Sequence, residues 1–214
     1  MTDTSREART HQIANAAYAL LEERGYGGMS MLAVAKRARA SNETLYRWFG
    51  DKTGLFRALI EINARSVTER LDNAPGDDPR EALAALGPIL LGLLLGDRAV
   101  ALNRAAAADP TGSLGAVLAE AGRATVLPRI AGLFSALAGQ GACAWPPEAA
   151  AALYVDLLAG DWQVRRVTGA MARPSEEEQA ARAQRALALC LSIIAEPPPL
   201  AAPLVPRDGC INKD

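Results

Sequence analysis

The sequence predicts an all-α protein, with a small N-terminal three-helix unit followed by a larger helical bundle, about nine helices in total. Three observations predict it. Apolar residues recur at helical spacing almost everywhere, as in Ile13, Ala17, Leu20 and Leu21, which share one face of a 3.6-residue period. Serine, aspartate and glycine punctuate these runs where helices start and stop. No run alternates apolar and polar residues as a half-buried strand would, and no internal repeat is found. Half of the 214 residues are hydrophobic and 22% are charged, so a substantial core can form.

Arg6 to Arg24 reads as an amphipathic helix stopped by Gly25. Ser30 can cap a short second helix from Met31 to about Ala38, with Val34 and Ala38 inward. Ser41 can cap a third, Asn42 to Phe49, anchored by Leu45 and Phe49 and ended by Gly50. Asp51 then caps a longer helix with a Leu55, Leu59, Ile62 stripe. The stretch Ala74 to Pro79, APGDDP, is dense in turn formers and marks a candidate junction. Helices follow at about 80–95, 97–108, 113–121, 123–138, 147–168 and 175–195, the last opening on Ser175 and three glutamates that complement the helix dipole. From Pro197 the chain is proline-rich and expected to be extended or disordered.

The N-terminus is polar, without a signal-peptide core. The longest apolar run, Ala82 to Gly96, is short for a membrane span. Cys143, Cys190 and Cys210, odd in number and widely spaced, favour a reducing cytoplasm over a disulfide framework and do not fit zinc spacing. One histidine, His11, argues against histidine-based triads and multi-histidine metal sites, and no glycine-rich phosphate loop occurs. The reading is therefore not an enzyme, with no cofactor and no metal. Residues 1–57 hold nine Lys+Arg against six Asp+Glu, while the remainder holds fourteen against eighteen. A mildly basic head on an acidic body suits an anionic partner at the head.

Two short helices joined at Arg39-Ala40-Ser41 have the dimensions of a helix-turn-helix, whose second helix enters the major groove. With Leu45 and Phe49 inward, Asn42, Glu43, Thr44, Tyr46, Arg47 and Trp48 remain on the other faces. Thr44 and Tyr46 offer hydroxyls that can donate to phosphate, although Tyr46 also suits a half-buried core. Lys52 opposes the dipole of the helix it opens, which an anionic partner would offset; a solvated surface lysine is the plainer reading. Arg47 fits phosphate or guanine. Asn42 can read adenine or satisfy the helix start, and Glu43 can accept from a cytosine amine or support the helix.

The segment Met29 to Phe56, MSMLAVAKRARASNETLYRWFGDKTGLF, resembles the DNA-binding domain of TetR/AcrR-family transcriptional regulators. The resemblance rests on Ser30, Val34-Ala35, Ala38, Ser41, Thr44-Leu45-Tyr46, Phe49, Lys52 and Leu55, with RGYGG before them, and covers about residues 9–60. It implies phosphate contacts by Thr44, Tyr46 and Lys52, base contacts by Asn42 and Glu43, and backbone or base contacts by Arg47 and Trp48. Two positions depart from the family. Arg39 stands where glycine is usual: if the site needs positive φ, arginine costs ~1–2 kcal/mol and the turn changes shape, or else Arg39 adds a phosphate contact. Leu32 stands where some members place a polar base-reader, which leaves base reading to the third helix.

The domains expected are a helix-turn-helix DNA-binding domain at 1–52, a ligand-binding and dimerisation domain at 53–196, and the tail at 197–214. The resemblance further implies that the last two long helices pair with those of a second copy. Together these features imply a cytoplasmic, nucleoid-associated bacterial repressor that binds a palindromic double-stranded operator as a homodimer and is released by a small-molecule effector. Trp162, Gln163 and Arg165 suit either the effector pocket or the dimer seam; the pocket residues are otherwise not identified by the sequence. A helical interaction module, or an effector-independent DNA-binding protein, is the alternative.

Overall fold

A computed structural model describes residues 3–72 and 78–198. Among these the chain forms eleven α-helices and a π turn, with no strand: α1 (Asp3–Gly28), α2 (Met31–Arg37), α3 (Asn42–Phe49), α4 (Lys52–Asp72), α5 (Pro79–Leu94), α6 (Asp97–Ala107), α7 (Ser113–Leu118), the π turn Ala119–Arg123, α8 (Ala124–Gly139), α9 (Pro147–Ala159), α10 (Trp162–Thr168) and α11 (Glu176–Ile194). The all-α expectation holds. Most of the APGDDP junction and the tail from 199 lie outside the described residues, as does Cys210.

Punctuation works as the residue types require. Helical dihedrals in α1 break at Gly25, with φ 64° and ψ 178°. Ser30 Oγ accepts from the Ala33 amide at 3.2 Å, and Ser41 Oγ from the Thr44 amide at 3.0 Å. Asp51 accepts from the Gly54 amide at 2.7 Å. Ser175 and Glu178 form a reciprocal capping box, which satisfies two orphan donors at once. Ahead of α7, the Asp109 carboxylate accepts from the amides of Leu114 and Thr111 and from the hydroxyls of Thr111 and Ser113. Those bonds favour its charged form and hold its pKa down at about 2.

One correction concerns 147–168, expected as a single helix. Gly160, at φ 49° and ψ −133°, breaks it into α9 and α10. This one split turns the ten helical segments read from the sequence, summarised there as about nine, into eleven α-helices among the described residues. α10 buries none of its residues, and Val164 is 64% exposed.

Two apolar cores form. In the first, Ile13, Ala17, Leu20 and Leu21 of α1 meet Val34, Leu45, Leu55, Phe56 and Leu59. This core also takes in Leu102 and Ala105 of α6, Leu114 and Val117 of α7, and Ala121. The second joins Leu83, Leu90 and Leu91 of α5 to Phe134, Tyr154, Ala183 and Cys190. α5 approaches closely because Gly87 faces Tyr154 and Ala183: a Cβ there would come within 2.7 Å of the Tyr154 hydroxyl. That hydroxyl donates to the Leu83 carbonyl at 3.0 Å, and burial raises its pKa.

The long fourth helix connects the two cores. Leu55, Leu59 and Ile60 lie in the first, while Ala64 and Val67 lie in the second. α6 holds α1 from the other side: Arg98 donates to Asn15 at 2.8 Å and lies 5.0 Å over the Tyr18 ring.

Candidate nucleic-acid interface and body cavity

The turn between α2 and α3 sets the geometry of the head. The Ala40 amide donates to the Ala35 carbonyl at 2.9 Å and the Arg39 amide to the Lys36 carbonyl at 3.3 Å. This pair is a Schellman motif, which requires a left-handed residue between its two bonds. Arg39 is that residue, at φ 50°, and among the described residues no other non-glycine has positive φ. The turn therefore keeps the shape that glycine would give it, and arginine bears the strain. Arg9 clasps the turn from α1, donating to the Arg39 carbonyl at 2.6 Å and to Gln12 at 2.7 Å.

This arrangement separates the two readings of Arg39. Arg39→Gly is expected to keep the fold and gain up to ~1 kcal/mol in a denaturant melt, since relief of strain outweighs the added freedom of the unfolded chain. If the guanidinium also meets phosphate, the same variant lowers affinity for all DNA sequences and flattens the salt dependence. Affinity that does not change would leave only the strained turn.

Apart from Lys52, the residues nominated by the sequence fall into two groups. Asn42, Glu43, Tyr46 and Arg47 are exposed along α3, Tyr46 by 50%. Glu43 and Arg47 face each other one turn apart at 3.9 Å, an exposed pair of small energetic weight. Arg39 is exposed beside them. The other group is already engaged within the protein. Thr44 shares a 2.8 Å hydroxyl contact with Ser41. Trp48 is half-buried on the first core, 6.4 Å from Phe49 in an edge arrangement, with the Arg6 guanidinium 5.6 Å from its ring centroid.

Lys52 is a third case. Its ammonium lies 4.0 Å from the centroid of the Tyr26 ring, and partial desolvation lowers its pKa. Tyr26 packs edge-on against Phe56 at 5.4 Å. The position of Lys52 is therefore fixed before any ligand arrives. Sequence reasoning did not single out Tyr26, Arg6 or Arg9. The glycines around Tyr26 were visible, but nothing in the local pattern links Tyr26 to Lys52, Arg6 to Trp48, or Arg9 to the Arg39 carbonyl 30 positions on.

In the body, a cavity of about 550 Å³ opens between α4, α5, α6, α8 and α9. Leu90, Leu94, Leu102, Leu118, Val126 and Ile130 give it an apolar wall. Polar groups stand at Asn103, Gln163 and the Arg123–Asp156 pair, whose charged atoms are 3.9 Å apart. Ile60, Asn63 and Ala64 of α4 line it, as do Ala119, Gly122 and Arg123 of the π turn. Between them the π turn reaches α4 directly, because Glu120 accepts from Arg57 at 2.8 Å. Of the three residues left open between pocket and seam, Gln163 lines the cavity. Trp162 stacks under the Arg182 guanidinium at 4.5 Å, and Arg165 pairs with Asp161 at 3.8 Å.

Among the described residues no cluster of three or more His, Cys, Asp or Glu could hold a metal ion, and no single helix is long and apolar enough to cross a membrane.

Comparison with known proteins brings both halves together. Residues 13–59 match the model of bacterial regulatory proteins, tetR family, and residues 81–193 match the AefR-like transcriptional repressor, C-terminal domain. The HTH-type transcriptional repressor KstR of Rhodococcus jostii (strain RHA1) is 31% identical over 83 residues, 39% of either chain. The alignment thus spans about two fifths of that curated relative. Solved structures align over far more of the chain. A putative TetR-family transcriptional regulator from Mesorhizobium loti MAFF303099 superposes with a TM-score of 0.73 at 25% identity, covering 90% of this chain and 98% of that one. A TetR transcriptional regulator from Agrobacterium tumefaciens gives 0.68 at 30% identity, covering 86% and 93%.

Proposed function

Because the chain belongs to the tetR family of bacterial regulatory proteins, which bind DNA to regulate transcription, we propose that it is a homodimeric repressor of a palindromic operator, released by a small molecule bound in the body. The division of labour is a head at 1–52 that reads DNA and a body at 53–196 that dimerises and holds the effector. The observation that carries this reading is the doubly bonded α2–α3 turn. It presents Asn42, Glu43, Tyr46 and Arg47 outward from a rigid core. In this assignment Thr44, Tyr46 and Lys52 hold phosphates, Asn42 and Glu43 touch bases, and Arg47, Trp48 and Arg39 supply further contacts. A single recognition helix meets only a few base pairs, so two copies on two half-sites are needed for useful selectivity. Val164 of α10 and Leu189 of α11, 64% and 49% exposed, are apolar groups that a second copy would cover.

Release requires an effector that binds better to the state whose two recognition helices are wrongly spaced. α4 provides a route, since one helix carries Lys52 at its start and Ile60, Asn63 and Ala64 at the cavity wall. The Arg57–Glu120 bond ties the same helix to the π turn. Fluorescence anisotropy with the DNA upstream of the protein's own gene tests the core of the reading. Salt-sensitive, sequence-specific binding of a dimer is expected; salt-sensitive binding with no sequence preference would overturn it.

A further inference from the structure

Leu32 is 67% exposed, the most exposed large hydrophobic residue among those described. Single exposed leucines are common on proteins, so its setting decides its meaning. It does not sit on a frayed end: Met31 is 5% and Val34 0% exposed, and the Ser30 cap fixes the turn between them. Helical spacing places Leu32 and Lys36 on one face of α2, and both are exposed, as is Arg39 in the turn that follows the helix. Arg37 turns the other way, to Glu23 of α1 at 2.7 Å. Beyond Lys36 the chain enters the Schellman turn that leads into α3.

An isolated leucine that shares its helix face with an exposed lysine is a poor patch for an apolar protein partner, whose contacts need a contiguous apolar core. It suits DNA, where phosphates carry the charge and the thymine C5-methyl is the apolar group in the major groove. We propose that Leu32 packs against the C5-methyl of a thymine in each operator half-site, so that α2, as well as α3, selects sequence. This rests on the operator-binding reading above.

The test uses the full chain and operator duplexes in which each thymine of the half-site is replaced in turn by deoxyuridine, removing one methyl group. At one position per half-site, wild-type affinity is expected to fall about fourfold, and about fifteenfold when both half-sites are changed, the effect of one buried methyl or two. Leu32→Ala should bind the thymine and deoxyuridine duplexes equally, and Leu32→Met should retain the discrimination. Leu32 lies outside both cores, so a circular dichroism melt should show the variants folded. A sequence-specific complex indifferent to every thymine methyl, or one whose sensitivity survives Leu32→Ala, overturns the role of Leu32 alone. Absence of any sequence-specific complex overturns the operator reading and the leucine contact with it.

Discussion

Gly54→Ala is expected to destabilise the protein by about 3 kcal/mol, and to abolish operator binding before the body is disturbed. Gly54 lies in the first turn of α4, its amide bonded to Asp51. A Cβ there would run into the carbonyl oxygen of Phe49, the last residue of α3. That oxygen cannot retreat freely, because it accepts from the Asp51 amide at 2.9 Å. The clash is therefore backbone against backbone, at the upper end of overpacking costs. The joint that would have to open also sets the angle of the recognition helix. Gly27→Ala is the control, since nothing lies within 4 Å of a Cβ at that site. Urea melts of both variants, alongside anisotropy, check the expectation. Equal midpoints for Gly54→Ala and the wild type would refute it.

Lys52→Ala should weaken binding to every DNA sequence by a common factor. In a dimer each substitution removes two phosphate contacts. The slope of log affinity against log salt should fall by about 1.8, from 0.9 for each phosphate. At moderate salt, about 1.5 kcal/mol for each charge-assisted bond gives roughly a hundredfold loss for the pair. Tyr26→Leu separates charge from placement. It removes the ring 4.0 Å from the ammonium but leaves the charge, so affinity should fall while the salt slope stays near that of the wild type. A sequence-dependent loss in Lys52→Ala, or an unchanged slope, would remove Lys52 from the backbone contacts.

Short-range chemistry made much of the head legible. Ser30 and Ser41 were readable as caps because a hydroxyl three residues before a free amide has one obvious use. Leu45 and Phe49 were readable as anchors from their spacing, and Leu45 is fully buried. At Arg39 the sequence left two alternatives, and the φ of 50° answers the conformational half. The clasp from Arg9, the support under Lys52 and the arginine over Trp48 were not legible, because helical periodicity carries no information about which helices meet. In the body, AEAGR gives no local sign of a π turn, and a lone glycine inside 147–168 does not by itself mark the break found at Gly160. The cavity depends on eight segments at once, so no window of sequence could outline it.

The first core has a consequence for how this protein can be cut and recombined. Leu102, Ala105, Leu114, Val117 and Ala121, far along the chain, pack among the side chains of the first sixty residues. A fragment ending after the recognition helix would expose that apolar seat to water and lose both α4 and its lid. The reading head is not an interchangeable part. A hybrid that joins this head to another body would need the matching surface of α6 and α7 as well, so exchange of DNA specificity among such chains is easier by single substitutions on α2 and α3 than by transplanting the unit whole.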